Sequence, residues 1–463
     1  MISLAHRFSI YFAILLVAGC AVGPDYKRPT IDVADNYKEE SGWKPSEPND
    51  VLNRGAWWEI YRDETLNELE RQLEISNENV KAAAAAVEEA QALERQARAG
   101  FWPTLTATVD RQRTTTSVGS NTFDTVGVGG SWNLDVWGQI RRSVEGGHAN
   151  AMGSEAALAA ARLSAQAQLA SAYFELRAQD QLQTLLNDTV AAQQESLRIA
   201  ESRFRFGVTA KADVVSAETQ LLTSQSQQVN ASIQRALLEH AIAVLVGQPP
   251  AVFSLSAAPM RSDVPTVPAG VPSTLLERRP DIAEAERRVA AASAQIGVAR
   301  AAFFPSISLN GSDDYKSGTI GNLFSASQQI WAFGPALMQT LFAGGLHKAR
   351  VQEARAAFDV SVDNYRQTVL LSFEQVEDEI VTLRVLEQQA GIVDSAVGAA
   401  EEAETLTLNQ YKAGTVPYSS VITAQTTRLS SEVTALTVLT NRLKASVAMI
   451  EALGGGWNSS EFQ

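Results

Sequence analysis

A seven-residue period that occurs twice at one fixed offset constrains this chain more than any other feature. Leu169, Leu176, Val190, Leu197 and Phe204 are separated by multiples of seven, with Gln183 the one polar interruption. A shift of 207 residues keeps the phase: Val376, Leu383, Ala390, Val397 and Tyr411 follow, with Glu404 the lapse. The offset persists through Gly207/Gly414, Val214/Val421, Ala217/Ala424, Leu222/Leu429, Arg235/Arg442, Ala241/Ala448 and Gly247/Gly454. Heptads press one helix face against another, and a period that survives a glycine turn reads as a coiled-coil hairpin, here made twice. A helix from Gln139 to Phe206 would run about 100 Å at 1.5 Å per residue, and its counterpart spans Leu346 to Ala413. Return helices reach Gly247 and Gly454.

At 463 residues the length alone would allow roughly two to four domains, but two similar halves can build one body. Much of the 45% hydrophobic content is alanine, which suits close helix–helix approach better than one thick core. A net charge of −14 argues against a nucleic-acid partner, since phosphate binding needs clustered Lys and Arg. One cysteine excludes an intrachain disulfide, and four scattered histidines give no zinc spacing. Neither a phosphate-cradling glycine loop nor a nucleophile–base spacing is found, so no enzyme activity, metal or cofactor is expected.

The lone cysteine ends the leader. His6 and Arg7 precede the apolar run Phe8 to Ala18, followed by Gly19 and Cys20. Residues 1–19 read as a signal peptide, too short for a permanent span. The segment resembles a bacterial lipobox, which implies cleavage before Cys20, acylation of that residue and, with Ala21 rather than Asp next, sorting to the outer membrane. Residues 20–62 form an extended lipidated segment, in which Trp57 and Trp58 are packing anchors or, less favoured, a ligand platform. A helix then runs from about Asp63 through Gly100.

Phe101-Trp102-Pro103 ends that helix, and Phe303-Phe304-Pro305 recurs in the second half. Proline stops the helical ladder, and aromatic pairs at such a point suit a membrane–water interface. The period then becomes two: Leu105, Ala107 and Val109; Val126, Val128, Trp132, Leu134 and Val136; Ile307 and Leu309; and, more weakly, Trp331, Phe333 and Leu337 around Pro335. Each run has about the ten residues of a tilted membrane strand. A polar loop, Thr114 to Thr125, is expected inside the first hairpin. The resulting division is repeat 1 over 63–247 (β-hairpin 101–137, coiled-coil hairpin 139–247), a proline-rich linker over 248–277, repeat 2 over 278–455 (β-hairpin 303–342, coiled-coil hairpin 346–454) and a polar tail over 456–463. Charges at Arg278, Arg279, Asp281 and Glu284 are expected to cap and solvate the helix beginning at Pro280.

Four membrane strands cannot close alone, because open edges in lipid leave backbone groups unpaired at several kcal/mol each. Copies of the chain remove the edges, and three give an even number of strands, twelve. The expected fold is therefore mainly α with membrane β: a homo-oligomeric tube in which a strand barrel is continued by a long α-helical coiled-coil barrel, with two structural repeats per chain, and in which a small multiple such as three is favoured but not fixed.

Several motifs carry a family resemblance: Cys20-Ala21-Val22-Gly23-Pro24-Asp25-Tyr26, Trp57-Trp58, Leu134-Asp135-Val136-Trp137-Gly138, and Gly270 through Ile282 with Ala285-Glu286. On these the chain resembles the TolC-type outer-membrane efflux proteins, in the lipoprotein branch typified by OprM and NodT. The resemblance implies a homotrimeric channel-tunnel with a twelve-strand β-barrel in the outer membrane, a passive export duct for small molecules such as drugs, docked to a periplasmic adaptor and an inner-membrane pump. Alternatives are a lipoprotein adaptor or a structural surface coiled coil, neither of which needs two hairpins of membrane-length strands. The resemblance also implies a periplasmic entrance at the Gly207 and Gly414 turns, with a tyrosine at the Tyr411 position in hydrogen bonds that hold it shut. This chain departs from that pattern. Ser420 and Thr423 are uncharged where acidic rings constrict relatives, and Val416 replaces a gate-linking arginine. A threefold ring of Asp213 is an alternative constriction, against a plain first-turn role at a helix N-terminus. Phe204 and Tyr411 remain open between coiled-coil core and aperture.

Overall fold

The computed structural model describes residues 21–31, 33, 37–40, 55–117, 119–267 and 278–455. The leader, Cys20, the first part of the Gly270–Ile282 motif and the polar tail lie outside the described residues. The elements are α1 (Glu64–Ser76), α2 (Glu78–Ala99), β1 (Thr104–Thr116), β2 (Gly119–Leu134), α3 (Gln139–Arg205), α4 (Lys211–Leu245), α5 (Pro280–Ala301), β3 (Ser306–Ser317), β4 (Gln329–Met338), α6 (Leu346–Ala413) and α7 (Tyr418–Ala452). Gln139 and Leu346, where the long helices begin, are 207 residues apart, as are Lys211 and Tyr418. The chain forms two compact units, and each draws on both halves of the sequence: Met1–Ile31, Ala84–Ala156 and Asp281–Thr368 in one, Asp32–Ala83, Ala157–Pro280 and Val369–Gln463 in the other.

The first unit holds one antiparallel sheet in the order β1-β2-β3-β4. Directly paired residues share a face, so the register sorts the side chains. One face carries Leu105, Val109, Val126, Val128, Trp132, Leu134, Ile307, Leu309, Trp331, Phe333 and Leu337. Two acidic residues share this face: Asp313 accepts a 2.9 Å hydrogen bond from the Gln329 amide, and Asp124 lies 3.4 Å from the Arg111 guanidinium. The opposite face carries Thr104, Thr106, Thr108, Asp110, Ser131, Asn133, Ser308, Asn310, Ser312, Asp314 and Lys316. Gly127 makes room there for Asp314: an added Cβ would lie 1.8 Å from the carboxylate. Among the described residues nothing pairs with the outer edges of β1 and β4. Pro335 is accommodated because it lies on the edge strand β4, opposite Leu309.

In the second unit the heptad residues Leu169, Leu176, Val376 and Leu383 are buried, together with Ile242, Ile380, Met449 and Ile450. Each long-hairpin helix ends at a glycine with positive φ: Gly207 at 73°, Gly247 at 67°, Gly414 at 80° and Gly454 at 87°. At all four the residue after the glycine donates to the carbonyl five back, and the glycine to the one three back, the Schellman arrangement.

Three expectations change, and one question left open is divided between its two residues. The helix expected from Asp63 to Gly100 is two helices. Asn77 breaks it with extended backbone, accepts from the Val80 N–H at 3.0 Å, and donates 2.7 Å to the Leu245 carbonyl at the end of α4. The polar loop at Thr114–Thr125 is mostly strand: the ladder continues to Thr116↔Gly119, and Thr115 and Ser120 share a 2.8 Å hydroxyl bond. Polar β-branched residues keep a ladder as readily as apolar ones, and only the face they present differs. Arg279 is not a solvated cap; it is buried and donates 3.0 Å to the Ala452 carbonyl at the end of α7. Phe204 is 44% exposed in the single chain, whereas Tyr411, its counterpart at the same offset, is 2% exposed. The two turns are not equivalent.

Candidate functional site

Two places bring together residues of the sequence motifs, one in each unit. The first is the junction where strands hand over to helices. Asp135 caps α3, accepting from the Ile140 and Arg141 N–H groups at 2.9 and 3.0 Å and from the Arg141 side chain at 3.1 Å. Trp137 stacks on Phe304, ring centroids 4.8 Å apart and 24° between planes, and its indole N–H donates 2.7 Å to the Pro305 carbonyl. Trp132 donates 2.8 Å to the Phe101 carbonyl. Trp102 is 75% exposed, and Phe303, with Phe304, lies at the surface of the single chain. Leu341 and Phe342, which the sequence reading did not single out, are 94% and 89% exposed beside them in sequence.

The segment that follows Cys20 is fastened to the same junction. Val22 donates 3.0 Å to the Trp137 carbonyl, and Ala21 lies so close to Gly138 that an added Cβ there would meet it at 2.7 Å. Gly23 touches the Gly297 backbone, Asp25 pairs with Arg142 at 2.8 Å, and Tyr26 donates to Glu286. Burial, with the Glu286 carboxylate as acceptor, pushes the Tyr26 hydroxyl above its ordinary range. The string after the cysteine is thus a set of contacts that hold residue 21 at the strand ends.

The second place is the pair of turns in the other unit. Tyr411 and Tyr418 are buried with Ala200, Ala217 and Val421, their rings 5.2 Å apart. Leu197, Val214 and Val416 pack against this cluster. Burial pushes the Tyr418 hydroxyl up to about 12 and raises that of Tyr411. Among the described residues neither hydroxyl makes a hydrogen bond of normal geometry, although Ser196 lies beside Tyr418. Thr209 lies beside Tyr411, but its own hydroxyl hydrogen goes to the Asp213 carboxylate.

Asp213 occupies the first turn of α4, where the cap residue is Ala210, so it meets the positive end of the helix dipole as a first-turn acid. Ser420 is half-buried in the first turn of α7, and the exposed Thr423 returns its hydroxyl to the Ser419 carbonyl at 3.0 Å. Phe204, Phe206 and Val208 are exposed around Gly207. The structure therefore gathers Tyr411, Asp213 and Gly414 near one another and leaves Ser420 and Thr423 out of that cluster's hydrogen bonds.

Sequence reasoning missed Arg203, Thr209 and Tyr418. The Arg203 guanidinium lies 5.0 Å from the Tyr411 ring centroid and donates 2.8 Å to the Lys412 carbonyl. One signal was available for it: at the position where its counterpart 207 residues on is Gln410, the first half carries a charge. Burial of Trp57 and Trp58 is as anchors require; Trp57 is fully buried and donates 3.1 Å to Gln166.

Comparison with known proteins places this geometry in context. The model for "Outer membrane efflux protein" matches residues 69–248 and 271–455. The toluene efflux pump outer membrane protein TtgC of Pseudomonas putida is 29% identical over 97% of this chain and 95% of its own. The outer membrane protein OprJ of Pseudomonas aeruginosa is 28% identical over 98% of this chain and 96% of its own. The solved outer-membrane channel OprN superposes with a TM-score of 0.87 at 28% identity, covering 95% of this chain and all (100%) of that one.

Proposed function

The chain belongs to the outer membrane efflux protein family, and from that premise we propose how it performs as an efflux channel. It is an outer-membrane channel-tunnel of efflux, working with other pump components, and its relatives are channels rather than enzymes. We propose that the working form is a homotrimer. Three sheets contribute twelve strands to one barrel, and the paired long helices of both repeats contribute a coiled-coil tunnel on the periplasmic side. An adaptor and an inner-membrane pump complete the system, and the pump supplies the energy.

One observation carries this reading: a four-stranded antiparallel sheet with an apolar face, a polar face and two outer edges that nothing among the described residues pairs. Such edges are untenable in lipid, so another copy must complete them. Helix surfaces support the same conclusion. Val215, Leu222 and Val229 are exposed at seven-residue spacing on α4, and Val385, Ile392 and Leu406 at multiples of seven on α6. Exposed heptad stripes await another helix.

Phe101, Trp102, Phe303 and Phe304 lie at the periplasmic rim of the barrel in this reading, and Leu341 and Phe342 join them. Acylated Cys20 anchors the chain at that level, because residue 21 is held against Gly138 at the strand ends. Export is passive, and the substrate is a small molecule of the kind pumps deliver; the Pseudomonas putida relatives include antibiotic and toluene efflux proteins. The entrance lies at the turns, with Phe204, Gly207, Asp213, Tyr411 and Gly414 around it and the uncharged Ser420 and Thr423 where relatives place acids.

The test is heat-modifiable migration of the purified protein together with conductance in planar bilayers. A trimeric band and an ion-conducting pore are expected. A monomer that leaves bilayers impermeable sinks the reading.

A further inference from the structure

Glu404 is the polar lapse in the second heptad series, and the channel reading gives it no task. It is 9% exposed and pairs with Arg428 at 3.0 Å, while Arg428 also pairs with Glu432 at 2.9 Å. These residues of α6 and α7 line a cavity of about 290 Å³ whose other wall is α3, through Leu185, Asp188 and Gln193. Asp188 is exposed in the single chain, which gives access from solvent on that side. At the 207-residue offset, Leu197 stands for Glu404 and Leu221 for Arg428, so the first repeat has leucines where the second has an ion pair.

The cavity is short of hydrogen-bond donors. Gln425, 6% exposed, lines it and donates its amide nitrogen 3.2 Å to Ser196. Ser196 gives its own hydrogen to the Ala192 carbonyl at 3.0 Å, so it can only accept from Gln425, and the amide oxygen must point the other way. That oxygen is buried and has no partner among the described residues. The amide oxygen of Gln193, a residue 2% exposed, is in the same state. A buried acceptor without a donor is destabilising, and two of them on one cavity call for N–H groups. Charge points the same way. Three carboxylates, Asp188, Glu404 and Glu432, face a single guanidinium, that of Arg428, so the lining is negative. The acids are too dispersed for a metal: among the described residues no three His, Cys, Asp or Glu side chains gather as ligands. An extended organic cation meets these groups better. Each primary ammonium end offers three donors, and Leu185, Ala192 and Leu429 supply apolar wall for the methylenes between them. The volume equals that of roughly ten liquid waters, which is room for such a chain.

We propose that this cavity, between α3 and the α6–α7 hairpin, binds a linear aliphatic polyamine. Its ammonium groups lie on the Gln193 and Gln425 amide oxygens and the Asp188 and Glu404 carboxylates. The site is in the helical wall, and it binds whether or not the chain forms a pore.

Titration calorimetry of the purified full-length protein with spermidine tests this. Saturable binding of one spermidine per chain is expected, and Gln193→Leu should weaken it about tenfold or more, as loss of a hydrogen bond to a charged group does. That variant changes no charge. Unspecific attraction of a polycation to an acidic protein would leave its affinity as in wild type, and that result overturns the proposal. If Q193L does not assemble, Asp188→Asn decides, compared with Asp394→Asn, an equal loss of charge at an exposed position of α6 outside the cavity. Weaker binding in D188N alone supports the site, and equal affinities in the two reject it. Magnesium at matched ionic strength should not displace spermidine; displacement would show a generic cation site and overturn the polyamine assignment. Titration without saturable heat means a merely hydrated cavity and also overturns it.

Discussion

Glu70 shows how much one side chain can burden a helix. It is fully buried at 0% exposure in α1, and neither carboxylate oxygen has a partner among the described residues. Burial, and then the neighbouring Glu74, raises its pKa well above the ordinary 4.5, so the folded chain holds it protonated where the unfolded chain would ionise it. The folded state then binds the extra proton, and stability falls as pH rises from 4.5 toward the raised folded value. Glu70→Gln should remove that slope and raise the thermal midpoint at alkaline pH relative to acid pH; parallel pH profiles for the two proteins would refute the assignment. Asp180 is the opposite case. This 6% exposed carboxylate accepts from Arg177 at 2.9 Å, Arg235 at 2.7 Å and the Ala258 N–H at 3.1 Å, tying the proline-rich segment to α3 and α4. Asp180→Ala strands the buried Arg177 cation, a change that costs about 3–5 kcal/mol in comparable pairs. Chemical denaturation should report it as a loss of cooperativity or midpoint; a shift below about 1 kcal/mol would mean that Arg177 finds another partner.

Element boundaries here are decided by caps. All four hairpin helices stop at a positive-φ glycine, yet the surroundings differ sharply. Gly207 has nothing within 4 Å of an added Cβ, whereas at Gly247 the Ser76 carbonyl oxygen would lie only 2.3 Å away. Gly207→Ala should therefore cost only the left-handed backbone strain, about 1–2 kcal/mol. Gly247→Ala adds a backbone collision and should abolish the folded trimer. Equal yields of heat-modifiable trimer from the two variants would show that strain, not close approach, governs these positions. The same contact explains the break at Asn77. Ser76 donates 2.7 Å to the Val246 carbonyl and Asn77 donates to that of Leu245, so the end of α4 is capped by the junction between α1 and α2. Asn77 is a good N-cap by type, and the break was legible to that extent. A continuous helical period on both sides hid it.

For the whole molecule, unpaired sheet edges require a partner, and the partner proposed is another copy. Cysteines placed on β1 and β4 should cross-link between chains and yield a covalent species of three times the mature chain's mass on a non-reducing gel. Cross-linked monomer alone would show that the edges close within one chain. The acidic excess, net charge −14, together with Asp110 and Asp314 on the polar strand face, predicts cation preference. Reversal potentials in a salt gradient measure it, and anion selectivity would contradict it.

Periodicity sufficed to find the long helices and the four strands, because a repeat of seven or of two is imposed by local geometry and survives in any single chain. Alternation also named the apolar and polar strand faces, since register follows once one face must avoid water. Which residues meet across the turns was another matter. Phe204 and Tyr411 share a heptad position but have opposite burial, and Arg203 reaches Tyr411 and Lys412 across 208 and 209 residues of chain. Such choices depend on how separate helices pack and which carbonyls their ends leave unpaired, and only the folded arrangement supplies that.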